Sequence, residues 1–435
     1  MAKLQPYNKY YPVAYDYVSQ LPEGWQLLPN IAIFEERIER GYINEELLSV
    51  TIGRGVIKQT DVDIKKDSSN EDKSKYKLIK VGDIAYNKMR MWQGALGYSD
   101  YQGISSPAYV ILKPKMKINS RYFHYMFRTS FYTNYGKRFS FGIVDDQLSL
   151  RYTDFKRMYS IVPPLPVQNS IVAYLDKKNA QIDTFIRNKE RLVELLEEEK
   201  LNSFERLTRI GADENNLVKF SGINWIGNIN KEWTLRKVSH SFKRIGSGTT
   251  PTSGANEYYE NGIYPWVNTG DLNDDVLKNV NNHITKKATK DYPTLKQYPK
   301  GTLLIAMYGA TIGKVSIMDI EACTNQACCA LVPDKYFDTE FIFYWFKGNR
   351  NKIISLSYGG GQPNISQDVI RALRIPCPKI EEQKELVRQI KIEEHRLNLV
   401  ISKAQKEIAA IKEYREALIT DLVTGKRSVL QLQMS

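Results

Sequence analysis

The chain has 435 residues, with 62 Lys+Arg against 49 Asp+Glu, a formal charge of +13 and a pI near 9.2. At roughly 100–200 residues per domain this length implies two to four structural units. Hydrophobic residues at 42% and charged residues at 26% exclude a disordered chain.

Further exclusions follow from local sequence. The longest apolar runs, such as Leu303–Met307, fall far short of the ~20 residues that span a bilayer. Met1–Tyr17 is polar and tyrosine-rich, without the apolar core of a secretory signal. Cys323, Cys328, Cys329 and Cys377 have the spacing of neither a disulfide framework nor a zinc site. A soluble, cytoplasmic protein is expected.

In chain order, Tyr11–Ser160 is rich in β-branched and aromatic residues punctuated by Gly and Pro, which predicts short strands. One short helical pattern interrupts it near Tyr122–Phe131. Within this part Asn87-Lys88-Met89-Arg90-Met91-Trp92-Gln93-Gly94 offers amide and guanidinium groups capable of bidentate contact with base edges. From Val167 to about Arg209 the apolar spacings become 3, 4 and 7, with no internal Pro or Gly, which predicts one long helix between Pro166 and Gly211.

Trp225–Ile375 returns to the strand-rich composition, with a second short helical pattern at Phe341–Arg350. Lys243-Arg244-Ile245-Gly246-Ser247-Gly248-Thr249-Thr250-Pro251 suits phosphate contact through backbone N–H groups and hydroxyls. Asn268-Thr269-Gly270-Asp271, Asn325-Gln326 and Gly359-Gly360-Gly361-Gln362 are further polar loops. Each of these loops, taken singly, also reads as an ordinary turn. From Ile380 to about Thr424 a second long helix is predicted, opening beside Pro378 and closing at Gly425.

The two halves repeat. At an offset of 215, Ile171, Leu175, Ile182, Ile186, Val193 and Leu196 map onto Leu386, Ile390, Leu397, Ile401, Ile408 and Ile411. An offset of 219 relates Gly94 to Gly313, Pro114 to Pro333, and Asn119–Phe127 to Asp338–Phe346; an offset of 208 relates Trp25 to Trp233. The drift implies insertions in the second globular part. About 43 residues at ~1.5 Å rise make each helix a rod of roughly 65 Å. Its narrow apolar stripe flanked by Glu, Lys and Arg favours a coiled coil between the two helices over one surface helix packed on each domain.

The helices carry little of the charge. Val167–Gly211 holds eight basic and eight acidic residues, and Pro378–Arg427 eleven and nine, so +11 of the +13 lies elsewhere. A basic excess on compact domains points to a polyanion, nucleic acid above all. The candidate contacts are Lys58, Asn87, Lys88, Arg90, Trp92 and Gln93 in the first part. In the second they are Lys243, Arg244, Ser247, Thr249, Thr250, Asn268, Thr269, Tyr308, Asn325, Gln326 and Gln362.

Catalytic signatures are missing. Gly309-Ala310-Thr311-Ile312-Gly313-Lys314-Val315 is one residue short of a P-loop, and Val315 stands where Mg²⁺ needs Ser or Thr. Gly246–Pro251 fails the dinucleotide fingerprint. His124, His240, His283 and His395 are scattered, so no metal is expected on this chain; His124 reads as a packing residue.

Several phrases together resemble the DNA-specificity subunits of type I restriction–modification systems, over essentially the whole chain. They are Trp225-Ile226-Gly227…Trp233, Pro265-Trp266-Val267-Asn268-Thr269-Gly270-Asp271-Leu272 and Gly301…Tyr308-Gly309-Ala310-Thr311-Ile312-Gly313-Lys314. Thr324-Asn325-Gln326-Ala327, Gln362-Pro363-Asn364-Ile365-Ser366 and Glu413-Tyr414-Arg415-Glu416-Ala417-Leu418-Ile419 before Val423-Thr424-Gly425-Lys426 complete the set. Departures are Val167, where a Glu usually precedes the Gln, a weakened first exit at Leu207–Gly211, and a first unit without the Thr-Gly-Asp phrase.

The resemblance implies a mixed α/β (α+β) chain with pseudo-two-fold symmetry. Target-recognition domains would span 1–162 and 212–376, antiparallel helices of a coiled coil 163–211 and 377–427, and a tail 428–435. It implies a non-catalytic subunit that reads a bipartite double-stranded DNA target, one half per domain, while the helices set the spacer and dock two methyltransferase subunits. S-adenosylmethionine would then belong to those partners, and ATP and Mg²⁺ to two motor-nuclease subunits, with no cofactor on this chain. A fused restriction or methylation enzyme would need an Asn/Asp-Pro-Pro-Tyr/Phe motif, which is absent. A coiled-coil scaffold binding protein alone is the other alternative.

Overall fold

The structure, a computed structural model, describes residues 4–15, 17–62, 72–142, 148–213, 215–356 and 364–430. The chain divides into two compact units, Met1–Lys189 with Lys406–Ser435, and Glu190–Gln405. This division is not the linear one expected from sequence. Each unit takes one globular part and one half of each long helix.

The first unit is built on strands β1 (Phe34–Glu36), β2 (Ile84–Asn87), β3 (Leu96–Tyr98) and β4 (Tyr109–Pro114), in the order β1-β4-β2-β3, all antiparallel. Helix α1 (Ser120–Arg128) follows, then the first half of α2 (Leu165–Ile210). The second unit repeats the plan with β5 (Arg244–Gly246), β6 (Val276–Leu277), β7 (Leu303–Ala306), β8 (Val315–Met318) and β9 (Cys328–Val332). Their order is β5-β9-β7-β8-β6, β6 being an added parallel edge strand. Helix α3 (Thr339–Ser355) and the first part of α4 (Ile380–Val423) complete it.

The sequence offsets are the register of the sheets. Asn87 pairs with Tyr109 and Ile84 with Leu112, as Ala306 pairs with Cys328 and Leu303 with Leu331, each shifted by 219. Gln26 pairs with Val162 in the first unit and Thr234 with Cys377 in the second, shifts of 208 and 215. The drift from 208 to 219 arises between β5 and β7, where the second unit carries extra chain.

The central strands are apolar on both faces because both faces are covered. Leu303, Ile305, Cys329 and Leu331 enter the core that holds α3, whereas Leu304, Ala306, Cys328 and Ala330 enter the opposite core. The first unit does the same: Ile84, Tyr86, Val110 and Leu112 face one core, Ala85 and Ile111 the other. Large aromatics fill these cores, including Trp25, Phe34, Tyr122 and Phe127, then Trp345, Phe341 and Phe346. Each fully buried ring contributes about 1.5–3 kcal/mol.

Both long helices end at glycines with left-handed backbone, Gly211 at φ +91° and Gly425 at φ +74°, the conformation that side-chain-free Gly adopts without cost. Each exit is embedded in a globular core. In the second unit Asn230 and Asn216 donate to the Ile210 carbonyl, at 3.2 and 2.9 Å. In the first unit Tyr122 Oη donates to the Val423 carbonyl at 2.8 Å and Tyr10 Oη to Gly425 at 2.9 Å. Ser428 N–H then donates to the Gln5 carbonyl at 2.8 Å and Val429 is buried. The segment beyond 427, expected as a tail, begins as part of the first unit's core; residues 431–435 lie outside the described residues.

Candidate nucleic-acid interface

The helices come first, because they frame each unit. In the first unit Lys189 pairs with Glu407 at 2.7 Å and Asp183 with Arg415 at 2.5 Å. In the second, Lys200 donates to Asn398 at 3.1 Å and Arg396 lies 3.9 Å from Glu199. In the first unit one partner's number rises as the other falls, so the helix segments run antiparallel there, and in the second unit the two segments lie side by side. Ile171, Leu175, Ile182 and Ile186 are buried in the first unit, and Leu386, Ile390, Leu397 and Ile401 in the second. Val193, Leu196, Ile408 and Ile411 are half-buried. The stripe is therefore not uniform. Ile171 and Leu175 sit in the globular core with Leu418 and Leu422, and Leu386 and Ile390 in the core with Phe204 and Leu207.

In the first unit, the segment 87–95 is the turn between β2 and β3. Met91–Gln93 makes a single 3₁₀ turn closed by Gly94 at φ +83°. Asn87 Oδ1 accepts the Met89 N–H at 3.0 Å, so part of that amide holds the turn. Trp92 Nε1 donates to the Met89 carbonyl at 3.2 Å, and Lys137 Nζ lies 5.1 Å from the ring centre. Arg90 and Gln93 are exposed and Lys88 half-buried. Lys58 pairs with Glu46 at 3.0 Å and lies 5.5 Å from the Tyr101 ring centre, which offsets part of its charge.

The equivalent turn of the second unit joins β7 to β8. It holds Tyr308 and closes at Gly313, whose N–H donates to Ala306 at 2.8 Å. The stretch Gly309–Lys314 is thus a strand-to-strand hairpin, not the strand-to-helix loop of a nucleotide site.

Beside that hairpin, hydrogen bonds gather several candidates at one edge. Gly248 N–H donates to Thr324 Oγ1 at 2.9 Å, Trp266 Nε1 to the Thr249 carbonyl at 3.2 Å, and Thr250 Oγ1 to Gln326 Oε1 at 2.6 Å. Asn325 N–H donates to Val267 at 2.9 Å, and Met307 N–H to Ala327 at 2.8 Å. Ser247, Thr249, Thr250, Asn268, Tyr308, Asn325 and Gln326 therefore share a neighbourhood, with Thr250 and Gln326 exposed. Gly248 is obligatory here, since a Cβ would fall 1.7 Å from the Thr324 carbonyl oxygen.

Other candidates serve the scaffold. Asn268 and Asp271 cap each other across the Thr269–Asp271 turn, and Asn325 Oδ1 caps Ala327 N–H at 3.0 Å. Arg244 sits over the Tyr298 ring, 4.1 Å from its centre, and donates to the Gln297 carbonyl at 2.8 Å. Lys243 is exposed. Gln362 and Gly359–Gly361 lie outside the described residues.

Sequence reasoning placed insertions in the second unit but missed the aromatic cluster they carry. Tyr258, Tyr259 and Tyr292 pack there around Trp266 and Ile284. Tyr292 Oη bonds Thr252 at 2.8 Å, and Lys287 pairs with Glu257 at 2.6 Å. The signal was present in Tyr258-Tyr259 followed by Lys286-Lys287, Lys290 and Tyr292, aromatics interleaved with cations.

Among the described residues no cluster of His, Cys, Asp or Glu could hold a metal ion, and no helix is long and apolar enough to cross a membrane. Cys323, Cys328 and Cys329 are free and buried; burial pushes the Cys329 thiol up to about 12, far from a reactive thiolate. His124 is half-buried on α1, and its Nδ1 accepts the Tyr98 N–H at 3.2 Å. Burial, with Arg128 and Arg121 adding repulsion, lowers its pKa to about 3.

This histidine carries a pH prediction. The unfolded chain takes up its proton below pH ~6.5 and the folded chain does not, so stability falls as pH falls from 7 to 5, by about 2 kcal/mol. Replacing His124 by Phe, the residue at the matching position 343, should flatten that dependence in urea titrations of the first unit. An unchanged slope would mean another group is responsible.

Comparison with known proteins agrees with this architecture. The type I restriction modification DNA specificity domain matches residues 230–392. Over 427 residues the chain is 25% identical to a protein named as the specificity subunit of the type I restriction enzyme MjaX of Methanocaldococcus jannaschii, with 94% of this chain and 95% of that one covered. Its fold matches a chain solved in a study of complex assembly and conformational transition of the type I R-M system, with a TM-score of 0.70 at 14% identity over 93% of this chain and 99% of that one. The HsdS subunit from Thermoanaerobacter tengcongensis gives 0.54 at 15% identity, over 95% and 99% of the two chains. A repeated α/β unit, a pair of long helices packed together and these likenesses point the same way: the chain is similar over nearly its whole length to DNA-specificity subunits of type I restriction–modification systems, and residues 230–392 match their specificity domain.

Proposed function

We propose that each unit reads one half of a bipartite DNA target, that α2 and α4 set the unspecified spacer, and that the same helices dock two methyltransferase subunits. Those subunits would bring S-adenosylmethionine. Two motor-nuclease subunits would bring ATP and Mg²⁺, and the assembly would work in the cytoplasm.

The observation that carries this reading is a shared scaffold with unlike tips. The sheets agree in order and register residue for residue, yet the hairpin turns differ in every reading side chain. Asn87, Arg90 and Trp92 stand in one, and Ala306, Gly309 and Thr311 at the matching positions of the other. Two copies of one scaffold with different donors and acceptors suit two unrelated half-sites. The helices support docking because their mutual stripe leaves apolar residues exposed, Ile392 at 65% and Leu399 at 59% among them.

Methylome sequencing of a host expressing the chain with its methyltransferase tests the reading. The expected result is one new bipartite adenine-methylated motif with a fixed gap. An intact complex that leaves no motif would favour a scaffold that binds protein alone. Within a working system, Arg90→Ala should relax one half-site and Gln326→Ala the other, each by about 1–3 kcal/mol of discrimination. Ile401→Asp, at a buried helix position, should instead cost assembly. The division of labour fails if Arg90→Ala dissolves the complex while Ile401→Asp leaves it whole.

A further inference from the structure

The repeat makes each unit a control for the other, and at one place the two are filled differently. In the second unit, α3 meets the helix pair through Phe343, Tyr344 and Lys347. Lys347 Nζ lies 4.8, 5.2 and 5.5 Å from the ring centres of Phe343, Phe204 and Tyr344, and 3.3 Å from Glu394 Oε1. Tyr344 Oη donates to the other oxygen of Glu394 at 2.9 Å. An ion pair inside an aromatic cage plugs the position.

In the first unit the offsets place His124, Tyr125 and Arg128 on α1, Asn179 on α2 where Glu394 stood, and Ile419 on α4 where Phe204 stood. The Glu394 carboxylate and the Phe204 ring are gone, and the imidazole of His124 replaces the Phe343 ring. Arg128 turns away to the carbonyls of Ile52, Gly53 and Leu96, at 2.7, 2.7 and 3.0 Å. What remains is a cavity of about 450 Å³ whose walls include Arg128, Asn179, Lys412 and Arg415.

Two atoms of those walls are buried without a hydrogen-bond partner, the acceptor Asn179 Oδ1 and the donor Arg415 Nε. Arg415 spends Nη2 on Asp183 at 2.5 Å. Leaving such atoms unpaired costs about 1–3 kcal/mol each, so the wall complements a guest that supplies both an acceptor and a donor. Charge narrows the guest further. Arg128, Lys412 and Arg415 face two carboxylates, Asp183 and Glu416, whereas the matching groups of the second unit balance, Lys200 and Lys347 against Glu197 and Glu394.

We infer that this cavity of the first unit binds an oxyanion that keeps a proton, of which inorganic hydrogen phosphate is the simplest. A phosphoryl oxygen accepts from Arg415 Nε and the Lys412 ammonium, and the P–OH donates to Asn179 Oδ1. Sulfate and carboxylates at neutral pH have no proton for Asn179, and a DNA phosphodiester has none either. None of its wall residues is a candidate DNA contact, and the site does not depend on how those contacts are assigned.

The test is calorimetric titration of the full chain with inorganic phosphate at pH 7 and fixed ionic strength, beside sulfate and acetate. Saturable phosphate binding at least about 10-fold tighter than sulfate is expected, one hydrogen bond's worth of preference. Asn179→Glu puts back the carboxylate of the second unit and should abolish binding while keeping the fold, checked by circular dichroism. Asn179→Leu, which removes only the acceptor, should erase the preference over sulfate. Phosphate and sulfate binding alike, no saturable binding of either, or an Asn179→Glu chain that binds as before would each overturn the assignment and leave a cavity that holds water.

Discussion

Replacing Gly348 by Ala should destabilise the second unit by about 3 kcal/mol, although alanine favours an isolated helix by about 1 kcal/mol. A Cβ at Gly348 would stand 2.5 Å from the backbone nitrogen of Glu205, 2.9 Å from its Cα and 3.0 Å from the Phe204 carbonyl carbon. Backbone atoms of a packed helix cannot rotate out of the way as a side chain can. The crossing of α3 over α2 must therefore open, loosening the contacts of Phe204 with Tyr344 and Lys347. Hydrogen exchange in the full chain is the measurement: amides of α3 should lose protection while those of the first unit keep theirs. Gly270→Ala is the control, because nothing lies within 4 Å of its Cβ position. Equal, small effects at both glycines would refute the close approach.

The second large effect concerns a pair of glutamines. Gln383, fully buried, accepts the Asp338 N–H at 2.8 Å and donates to the carbonyls of Pro378 and Tyr336 at 2.9 and 3.0 Å. Gln168 does the same work in the first unit, accepting from Asn119 N–H and donating to the Pro163 carbonyl, both at 2.8 Å. Each amide ties the start of a long helix to the N-cap of the domain helix before it. Removing one leaves two or three buried backbone groups unpaired, at about 1–3 kcal/mol apiece. Gln383→Leu should lower the second unit's stability by about 4 kcal/mol and Gln168→Leu the first unit's by about 3, each confined to its own unit. Limited proteolysis followed by mass spectrometry would show where the chain opens. Cuts in both units from either substitution would mean that the glutamines do not act locally.

These glutamines show how far the sequence could be read. Pro163…Gln168 and Pro378…Gln383 stand at the same offset of 215 in the sequence, and the structure supplies the reason for their spacing: five residues after the proline, the amide returns to the proline's carbonyl. What the letters did not disclose is the distant partner, the backbone of residue 119 or 338, some 45 to 49 positions away. The polar loops divide in the same manner. Asn268, Asn325 and Asn87 have the composition of base readers, yet they cap turns, because Asn side chains mimic the backbone within two or three residues. Arg244 is committed to Tyr298, a contact between residues 54 apart that no local pattern announces. Thr250 and Gln326 are exposed and joined to each other across 76 positions, a pairing that no local pattern announces either.

By itself the sequence determined the repeat, the two long helices and their bounds to within a few residues, and the strand-rich units before each. Periodicity is local, and a duplication leaves its offset in every conserved register. Only the tertiary structure decided that each unit owns half of both helices, that the chain beyond 427 completes the first core, and that one junction is plugged by Lys347 and Glu394 while its twin at Arg128 and Asn179 stays open. Those outcomes rest on contacts spanning up to 423 residues, such as Arg427 with the Leu4 carbonyl. They depend on which side chains meet once the helices pair, and that meeting is not encoded in any single stretch of chain.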